Sequence, residues 1–488
     1  MAATGLKPAA ALFDRLPGAL ADLAFTGIAT DSRRVRGGEL FVGLRGTWGP
    51  ADRYVEAALA AGAAAVLLES DDAGLDWRAG RPVWREPAAR ALLGTALARY
   101  YDLSPDSVFI AGVTGTNGKS SVTHLLSAVL PQPGYIIGTL GWGLPGQLQT
   151  QANTTPDVEA LHRTIAACRE AGARSIAMEV SSHALDQDRI AGVPIQMAVF
   201  TNLSRDHLDY HGDMEAYFAA KASLFRRPGL CYAVINADDL RAQRLLALLP
   251  ADVERITYGL TQGEVRPREL TAEASGLRMT VDTPLGECRL HSPWIGRVNA
   301  YNLLAALAAA LLLGEAPRAA AERLARVAPV PGRLERVPGP TAAPVVVVDY
   351  AHTPDALDAV LADLRKMTTG QLWCVFGCGG DRDRGKRPQM GRIAETWADW
   401  VVVTDDNPRS EAPEAIVAEI LGGMTQPAAA VRVHDRARAI QAAIRAARPG
   451  DCILIAGKGH ENYQEQAGVR RPFDDVAVAQ RALESWQC

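Results

Sequence analysis

Short apolar runs that end in polar, glycine-bearing loops recur along much of the chain. Between residues 105 and 331 the runs are "SVFIAGV", "SIAMEV", "IQMAVFTN" and "CYAVIN", and helical patterns separate them. The same alternation returns further on in "PVVVVDY", "LWCVFGCGG", "WVVVTDDNPR" and "CILIAGKGHE". Strands that alternate with helices are typical of a mostly parallel sheet covered by helices. Ligands of such sheets bind at the carboxyl ends of the strands, so we expect the functional residues there.

The chain divides into three stretches of different character. Residues 1–104 carry short strand-like pieces, "ELFVGL" and "AAAVLLES", and glycine-rich turns. The proline-rich segment 327–344 is interpreted as a hinge or linker between the two later stretches. A length of 488 residues suggests about three domains of roughly 150 residues each. We therefore predict an α/β protein with domains at 1–104, 105–331 and 332–488.

Composition narrows the class of protein without identifying it. The net charge of -4 gives no electrostatic footprint for nucleic acid. The longest apolar stretch, 300–314, is too short to span a bilayer and predicts a buried helix. The N-terminus is a poor signal peptide because Asp14 and Arg15 interrupt its apolar run. The seven cysteines are scattered without a CxxC pair, which favours reduced thiols. We expect a cytoplasmic monomer that binds neither nucleic acid nor membrane.

The segment "FIAGVTGTNGKSSVTHLLSAVL" predicts a strand, a glycine loop and a helix. Glycines allow the backbone to approach phosphates, and the helix N-terminus adds amide donors. Lys119 would reach the terminal phosphates, and Ser120 could hold Mg²⁺. The pattern departs from the general P-loop because Val113 occupies the place of its first glycine; the alternative is a structural turn. The predicted ATP-binding residues are Gly115, Thr116, Asn117, Gly118, Lys119, Ser120 and Ser121.

Three further residues follow predicted strands or lie in a helical pattern downstream. Glu179 ends the run "SIAMEV", and His207 follows the next strand. A Mg²⁺–nucleotide site uses few carboxylates together with substrate oxygens, so one acid near Ser120 is expected. Lys221 lies in the apolar helical pattern "EAYFAAKASLF", although only six of the 51 basic residues are lysines. The alternatives are a helix-capping acid, a loop histidine with ordinary partners and a snorkelling lysine.

These motifs resemble the Mur ligase family, which forms amide bonds at the expense of ATP in peptidoglycan precursor synthesis. The resemblance covers roughly residues 30 to 475 in the family's order. It rests on "GVTGTNGKSS", "NTTPD", "MEVSSHALDQDRI", "TNLSRDHLDYHG", "KASLF", "GRVNAYN", "PGRLE", "DYAHTPDAL", "GCGGDRDRGKRP", "DNPR" and "GKGHE". It implies an N-terminal uridine-binding domain, a central P-loop ATPase domain with a parallel or mixed sheet, and a C-terminal Rossmann-like domain that binds the amino acid.

The resemblance also implies a role for Lys221. Its amine would react with CO₂, and the resulting carbamate would ligate a second Mg²⁺ together with His207. Glu179 and Ser120 would hold the first Mg²⁺. Only a primary amine forms such a carbamate, so an arginine could not replace this lysine. The implied catalytic residues are thus Lys119, Glu179, His207 and Lys221.

Further positions match the family's substrate contacts. Those around the nucleotide are Asn299, Arg333, Asp349, Tyr350 and His352. Those matching contacts to the muramoyl peptide UDP-MurNAc-L-Ala-D-Glu are Asn153, Thr154, Thr155, Ser181, Gln187 and Arg189. Thr30 and Ser32 match the uridine-side loop. The nearby loop "GTWGPADRYV" lacks the histidine that usually follows an Asp-Gly pair there.

The segment "TDDNPRSE" carries information on the amino acid that is added. Arg409, and Arg382 as a second donor, would suit a carboxylate, while Glu461 could accept from an ammonium. meso-Diaminopimelate carries both groups at its side-chain end, whereas L-lysine carries only the amine. The predicted acceptor is therefore meso-diaminopimelate. The site is completed by Asp406, Asn407, Pro408 and Gly457.

Four alternatives remain at this point. Within ligases, the chain could add lysine, or it could add glutamate to folate. Outside ligases, it could be a P-loop kinase or a nucleotide-gated binding module. Release of phosphate that depends on the amino acid separates these classes.

Overall fold

The computed structural model describes residues 5–45, 49, 51–151, 153–273 and 276–486. Three successive stretches of these residues each form a β-sheet flanked by helices, and the predicted α/β class is confirmed. The boundaries predicted for the domains stay predictions.

The first stretch forms a five-stranded sheet with the order β3-β4-β5-β7-β6, in which β6 alone is antiparallel to its neighbour. Its helices are α1 (Ala9–Leu12), α2 (Val55–Ala60) and α3 (Ala89–Tyr100). Its strands, with a small β1-β2 pair, are β1 (Lys7–Pro8), β2 (Ala24–Phe25), β3 (Ile28–Ala29), β4 (Leu40–Gly43), β5 (Ala65–Glu69), β6 (Gly74–Arg78) and β7 (Arg81–Glu86).

The second stretch forms an eight-stranded sheet with the order β11-β10-β9-β12-β8-β13-β14-β15. Its strands are β8 (Phe109–Thr114), β9 (Gly134–Gly138), β10 (Gly141–Leu144), β11 (Gln147–Gln149), β12 (Ser175–Glu179), β13 (Met197–Phe200), β14 (Tyr232–Asn236) and β15 (Glu254–Tyr258). Its helices are α4 (Lys119–Val129), α5 (Val158–Glu170), α6 (Ser182–Asp186), α7 (Leu208–His211), α8 (Met214–Ala222), α9 (Ala242–Leu246), α10 (Arg297–Leu312) and α11 (Pro317–Leu324).

Both faces of this central sheet are buried, which explains its continuous apolar strands. Along β8, Ile110 packs into one core cluster, and Ala111 packs into the opposite cluster with α4 and α10. A feature that the sequence did not predict is a three-stranded antiparallel sheet between β15 and α10. Its strands are β16 (Arg266–Glu273), β17 (Gly276–Thr283) and β18 (Gly286–Ser292).

The third stretch forms a six-stranded sheet with the order β19-β20-β24-β21-β22-β23. Its strands, with a separate β25-β26 hairpin, are β19 (Glu335–Arg336), β20 (Val345–Asp349), β21 (Leu372–Phe376), β22 (Trp400–Val403), β23 (Val431–Arg432), β24 (Cys452–Ala456), β25 (Tyr463–Gln466) and β26 (Val469–Pro472). Its helices are α12 (Pro354–Met367), α13 (Lys386–Trp397), α14 (Pro413–Leu421), α15 (Arg436–Ala446) and α16 (Asp475–Glu484).

The segment 327–344 is only partly the linker that the sequence predicted. Within it, β19 pairs antiparallel with β20 and forms an edge of the third sheet. Leu334 is buried and its backbone nitrogen donates to Asp349 Oδ2 at 2.7 Å. Pro331 and Pro338, which cannot donate to a sheet ladder, flank this strand at a distance, while the residues between them are integrated into the fold.

The apolar stretch 300–314 forms most of α10, and its alanines and leucines lie in the core against α4. Among the helices that the structure describes, none combines the length and the apolar character needed to cross a membrane.

Candidate active site

The loop between β8 and α4 has the geometry of a phosphate-binding loop. Gly115 and Gly118 adopt positive φ angles of 149° and 86°. A side chain at Gly115 would lie 1.9 Å from the hydroxyl of Thr201, so only glycine fits this close approach. Lys119 Nζ donates to the carbonyl oxygens of Gly115 and Thr116 at 2.9 and 2.8 Å. The lysine therefore curls over its own loop, where a bound phosphate would compete for its ammonium.

Glu179 lies at the carboxyl end of β12, which is hydrogen-bonded to β8, and its side chain is buried. Its two oxygens accept hydrogen bonds from Thr139, one from the backbone nitrogen at 2.8 Å and one from the hydroxyl at 3.1 Å. The carboxylate does not cap a helix, so the alternative weighed for this residue is wrong. It faces the same cavity as Lys119 and Ser120.

Lys221 extends from α8 to the phosphate loop and is almost completely buried. Its Nζ donates to Gly115 O at 2.8 Å and lies 4.5 Å from the ring centre of Tyr217. Burial holds the pKa of this amine well below its usual value, and the neighbouring Lys119 ammonium lowers it further. The snorkelling alternative is wrong, because the amine points inward to a desolvated position beside the phosphate loop.

His207 is the N-cap residue that precedes α7, and its left-handed φ of 54° is an uncommon conformation for a non-glycine residue. Its Nε2 lies 3.4 Å from Asp206 Oδ2, and 46% of its side-chain surface is exposed. The ring packs edge-on against His183. Strained backbone of this kind concentrates at ligand sites, where the surrounding structure over-determines it.

These groups line one cavity of about 580 Å³ between the central and third sheets. All seven predicted phosphate-loop residues except Gly115 line it, and so do Glu179, His207 and Lys221. The described residues contain no cluster of three or more His, Cys, Asp or Glu side chains that could hold a metal by itself. Mg²⁺ bound with a nucleotide takes most ligands from phosphate and water, so Ser120, Glu179 and His207 fit such a partial shell.

The predicted nucleotide residues of the third stretch close this cavity from the other side. Arg333 lies 4.3 Å above the ring of Tyr350, and its Nη2 donates to Ser120 Oγ at 3.2 Å. Asp349 is buried, and burial raises its pKa. Burial lowers the pKa of His352 to about 4, so its imidazole is neutral at physiological pH. Asn299, on α10, donates to Ile295 O at 2.9 Å and also lines the cavity.

Four of the positions that match muramoyl-peptide contacts form a hydrogen-bonded network beside Glu179: Thr155, Ser181, Gln187 and Arg189. Thr155 Oγ1 donates to Glu179 O at 2.8 Å and accepts from Ser181 N at 3.1 Å. Arg189 donates to Thr155 O at 3.2 Å and to Gln187 Oε1 at 2.9 Å. Among these positions, Thr154 and Ser181 reach the cavity, whereas Asn153, Thr155, Gln187 and Arg189 are outside its described lining.

The two positions expected on the uridine side are separate from this cavity. Thr30 follows β3, and Ser32 begins a short turn of 3-10 helix that Asp31 caps. Neither belongs to the described lining of the cavity. In the loop "GTWGPADRYV", residues 46–48 and 50 lie outside the described residues.

The structure brings the predicted acceptor residues together at the carboxyl ends of β21, β22 and β24. Arg409 Nη1 donates to Gly380 O at 2.6 Å, and its φ of 52° is left-handed. A side chain on Gly379 would lie 2.9 Å from Arg409 Nη1 and 3.8 Å from Arg382 Cγ, so the two arginines flank one glycine. Asn407 Nδ2 donates to Glu461 Oε2 at 2.8 Å.

Close packing fixes the rest of this acceptor cluster. A side chain on Gly457 would meet Asp406 Oδ2 at 2.6 Å. Pro408 connects Asn407 to Arg409, and its carbonyl oxygen lies where a side chain on Gly380 would be. The residues that match acceptor contacts are outside the described lining of the 580 Å³ cavity.

Sequence reasoning did not assign several residues that the structure places in these sites. Thr139 and Tyr217 orient the acid and the lysine described above. Lys458 is completely buried and contacts Asn407 and Glu461. Its position between two glycines in "GKGHE", in a chain that otherwise prefers arginine, was the available signal.

Comparisons with known proteins match the chain to one family. Residues 113–310 match the family model of the Mur ligase middle domain, and residues 332–459 match that of the Mur ligase, glutamate ligase domain. A UDP-N-acetylmuramoyl-L-alanyl-D-glutamate–2,6-diaminopimelate ligase of Chromobacterium violaceum is 48% identical over 467 residues, covering 94% of each chain. The Pseudomonas aeruginosa protein of the same name is 47% identical and covers 96% of this chain and 97% of its own.

Solved structures show the same similarity. A structure of a ligase with that name superposes with a TM-score of 0.72 and 38% identity, covering 96% of this chain and 97% of the other. MurF from Acinetobacter baumannii has a TM-score of 0.64 at 19% identity, covers 93% of this chain and 96% of its own, and shares the fold.

Proposed function

The chain belongs to the Mur ligase family. From this premise we propose that it is an ATP-dependent ligase of the MurE branch, to which the UDP-N-acetylmuramoyl-L-alanyl-D-glutamate–2,6-diaminopimelate ligases belong. It would join meso-diaminopimelate to the D-glutamate of UDP-MurNAc-L-Ala-D-Glu in peptidoglycan precursor synthesis. The observation that carries the proposal is the cavity in which the phosphate loop and Glu179 of the central sheet face Arg333 and Asp349 of the third.

In the first step, the D-glutamate carboxylate of the substrate attacks the γ-phosphorus of ATP, giving an acyl phosphate and ADP. Phosphoryl transfer requires mainly positioning and charge neutralisation. Lys119 and the loop amides would help to position the phosphates and to neutralise their charge. Arg333 holds the loop serine and adds a second cation to the nucleotide side.

Two Mg²⁺ ions, when bound, would neutralise the phosphate oxygens. Ser120 and Glu179 would hold one ion, and His207 with carbamylated Lys221 would hold the other. The depressed pKa of Lys221 supports this assignment, because carbamylation needs a neutral amine. Its contact with Gly115 O would position the carbamate at the phosphate loop.

In the second step, the amino group of the acceptor attacks the acyl carbon and loses a proton. The tetrahedral intermediate then collapses to the amide and inorganic phosphate. Arg409 and Arg382 would bind the distal carboxylate of diaminopimelate, and Glu461 would accept from its distal ammonium. This pairing favours diaminopimelate over L-lysine, which has no distal carboxylate.

We also propose the division of labour among the three domains. Residues 1–104 would bind the uridine nucleotide through Thr30 and Ser32, 105–331 would bind ATP, and 332–488 would bind the amino acid. The protein would act as a cytoplasmic monomer without a nucleic-acid or membrane partner. The cysteines that the structure describes are all free thiols, which supports a reducing compartment.

The test is phosphate release in the presence of ATP, Mg²⁺ and UDP-MurNAc-L-Ala-D-Glu, with meso-diaminopimelate or L-lysine as acceptor. Release with diaminopimelate alone is expected. Equal release with lysine would overturn the assignment of Arg409 while leaving a ligase. Release with neither would overturn the muramoyl-peptide substrate, and ADP formation without phosphate would indicate a kinase.

A further inference from the structure

Lys458 is a buried cation that the mechanism above does not use. It lies in the loop after β24, and its side chain is completely buried, whereas Lys366 of the same domain is exposed. Its Nζ donates to Asn407 Oδ1 and to Glu461 Oε2, both at 3.1 Å, and lies 5.4 Å from the ring centre of Tyr463. An ammonium in such a place requires paired, hydrogen-bonded partners. The two partners it has are both predicted acceptor residues.

The lysine fixes the orientation of the Asn407 amide. Asn407 Oδ1 accepts from Lys458 Nζ and also from Glu465 N at 2.9 Å. Two donors at this oxygen leave the amide nitrogen on the other side, where it donates to Glu461 Oε2 at 2.8 Å. A flipped amide would place its own N–H groups against two donors.

As a result, the two oxygens of Glu461 have different surroundings. Oε2 accepts from both Lys458 and Asn407. Oε1 forms no hydrogen bond with any residue that the structure describes, and 19% of the side chain remains exposed. Oε1 is therefore the oxygen that can accept a hydrogen bond from a ligand ammonium.

We propose that Lys458 is a positioning residue for the acceptor amino acid, because it holds Glu461 and Asn407 so that Glu461 Oε1 faces the distal ammonium of the acceptor. This inference rests on the proposed function and adds a determinant of specificity to it. The lysine also balances the charge of Glu461. The distal end of diaminopimelate carries one ammonium and one carboxylate, whereas that of lysine carries only an ammonium.

This charge balance predicts a change in preference that a structural role would not produce. Without Lys458, the unbalanced Glu461 carboxylate attracts the cationic end of lysine more strongly than the zwitterionic end of diaminopimelate. A general loss of folding or rigidity would lower the kcat/KM of both amino acids in parallel. The ratio of the two kcat/KM values therefore separates the two roles.

The first variant is Lys458→Met, which keeps the length of the side chain and removes its charge. We expect its KM for diaminopimelate to rise at least tenfold, with the KM for ATP changed less than twofold. The ratio of kcat/KM for diaminopimelate to that for lysine should fall at least fivefold. The matched control, Lys366→Met, removes an exposed lysine and should leave all three quantities unchanged.

A double-mutant cycle with Glu461→Gln tests whether the lysine acts through Glu461. If it does, Lys458→Met in the Glu461→Gln background should change kcat/KM for diaminopimelate less than twofold. The proposal would be overturned if the losses in kcat/KM of the two single variants multiplied in the double variant. If Lys458→Met alone does not fold, the double variant is compared with Glu461→Gln, because the double variant leaves no unpaired buried charge.

The wild-type protein separates failure of this inference from failure of the proposed function. No phosphate release by the wild type with diaminopimelate would reject the function itself. Release by the wild type together with an unchanged acceptor KM in Lys458→Met would reject the positioning role alone.

Discussion

Lys221 Nζ donates a hydrogen bond to the carbonyl oxygen of Gly115 at 2.8 Å, although the two residues are 106 positions apart. The contact places a desolvated amine directly beneath the phosphate loop. Lys119 Nζ donates to the same carbonyl oxygen at 2.9 Å. Two amines therefore meet at one acceptor, which favours the neutral form of the more buried one, and this is the form that the proposed carbamylation requires.

Replacing Lys221 by arginine should give a folded protein that has lost most of its activity. A guanidinium stays charged and forms no carbamate. We expect phosphate release to fall at least a hundredfold, with the thermal unfolding midpoint as the check on folding. Lys366→Arg, at an exposed position, is the control. Wild-type turnover in Lys221→Arg would refute the carbamate.

Replacing Arg409 by alanine should weaken binding of diaminopimelate selectively. Removing one partner of a desolvated, charged contact costs roughly 2–5 kcal/mol. We therefore expect the acceptor KM to rise more than tenfold while the KM for ATP changes little. Arg438→Ala, on an exposed face of α15, removes the same groups away from the site. Steady-state kinetics with each substrate varied in turn measures the effect, and an unaltered acceptor KM would contradict the assignment.

A side chain at Gly332 should disturb both halves of the site together. Its φ is 67°, and an added Cβ would lie 2.1 Å from the backbone nitrogen of His460. Gly332→Ala must therefore move the loop of Arg333 away from that of Lys458. We expect kcat/KM to fall at least tenfold for ATP and for the acceptor.

The control for this substitution is Gly18→Ala, where the added Cβ meets nothing within 4 Å and the φ is not positive. It should leave the kinetic constants as they are in the wild type. Equal constants in Gly332→Ala would show that the two loops tolerate separation.

Acidification should destabilise the protein partly through His162. This residue is completely buried on α5, its Nδ1 lies 2.8 Å from Val158 O, and burial lowers its pKa to about 4. In the unfolded chain its pKa returns to about 6.5, so the unfolded state binds the proton first as the pH falls. The contribution of the neutral imidazole to the free energy of unfolding is thus complete above pH 6.5 and is lost towards pH 4. Between pH 7 and pH 5 the free energy of unfolding falls by about 2 kcal/mol on this account.

The measurement is urea unfolding at pH 7 and pH 5 for the wild type and for His162→Asn, whose amide can replace the Nδ1 contact. The variant should lose about 2 kcal/mol less stability over this range than the wild type. His291→Asn, at an exposed position of β18, should behave as the wild type. An identical pH dependence in His162→Asn would contradict the assigned pKa.

Much of the fold could be predicted because its signals are local. Each apolar run that predicted a strand in the central and third sheets contains one, since a strand buried on both faces needs continuous apolar residues. The three-stranded sheet β16-β17-β18 was missed because the strands were predicted from continuous apolar runs, whereas β16 is polar along most of its length. The proline-rich segment was taken for a linker because prolines are typical of loops, and the strand β19 between them is too short to give a signal of its own.

The sequence by itself determined the α/β class, the phosphate loop and the order of the motifs, since these depend on neighbouring residues and on a recognisable family pattern. Only the tertiary structure decided that Lys221 is buried against Gly115, that Arg333 reaches Ser120, and that Lys458 holds Asn407 and Glu461. Burial and long-range hydrogen bonding depend on which strand ends lie next to each other in space. The packing of the sheets determines these neighbours, and the local spacing of residues in the sequence does not.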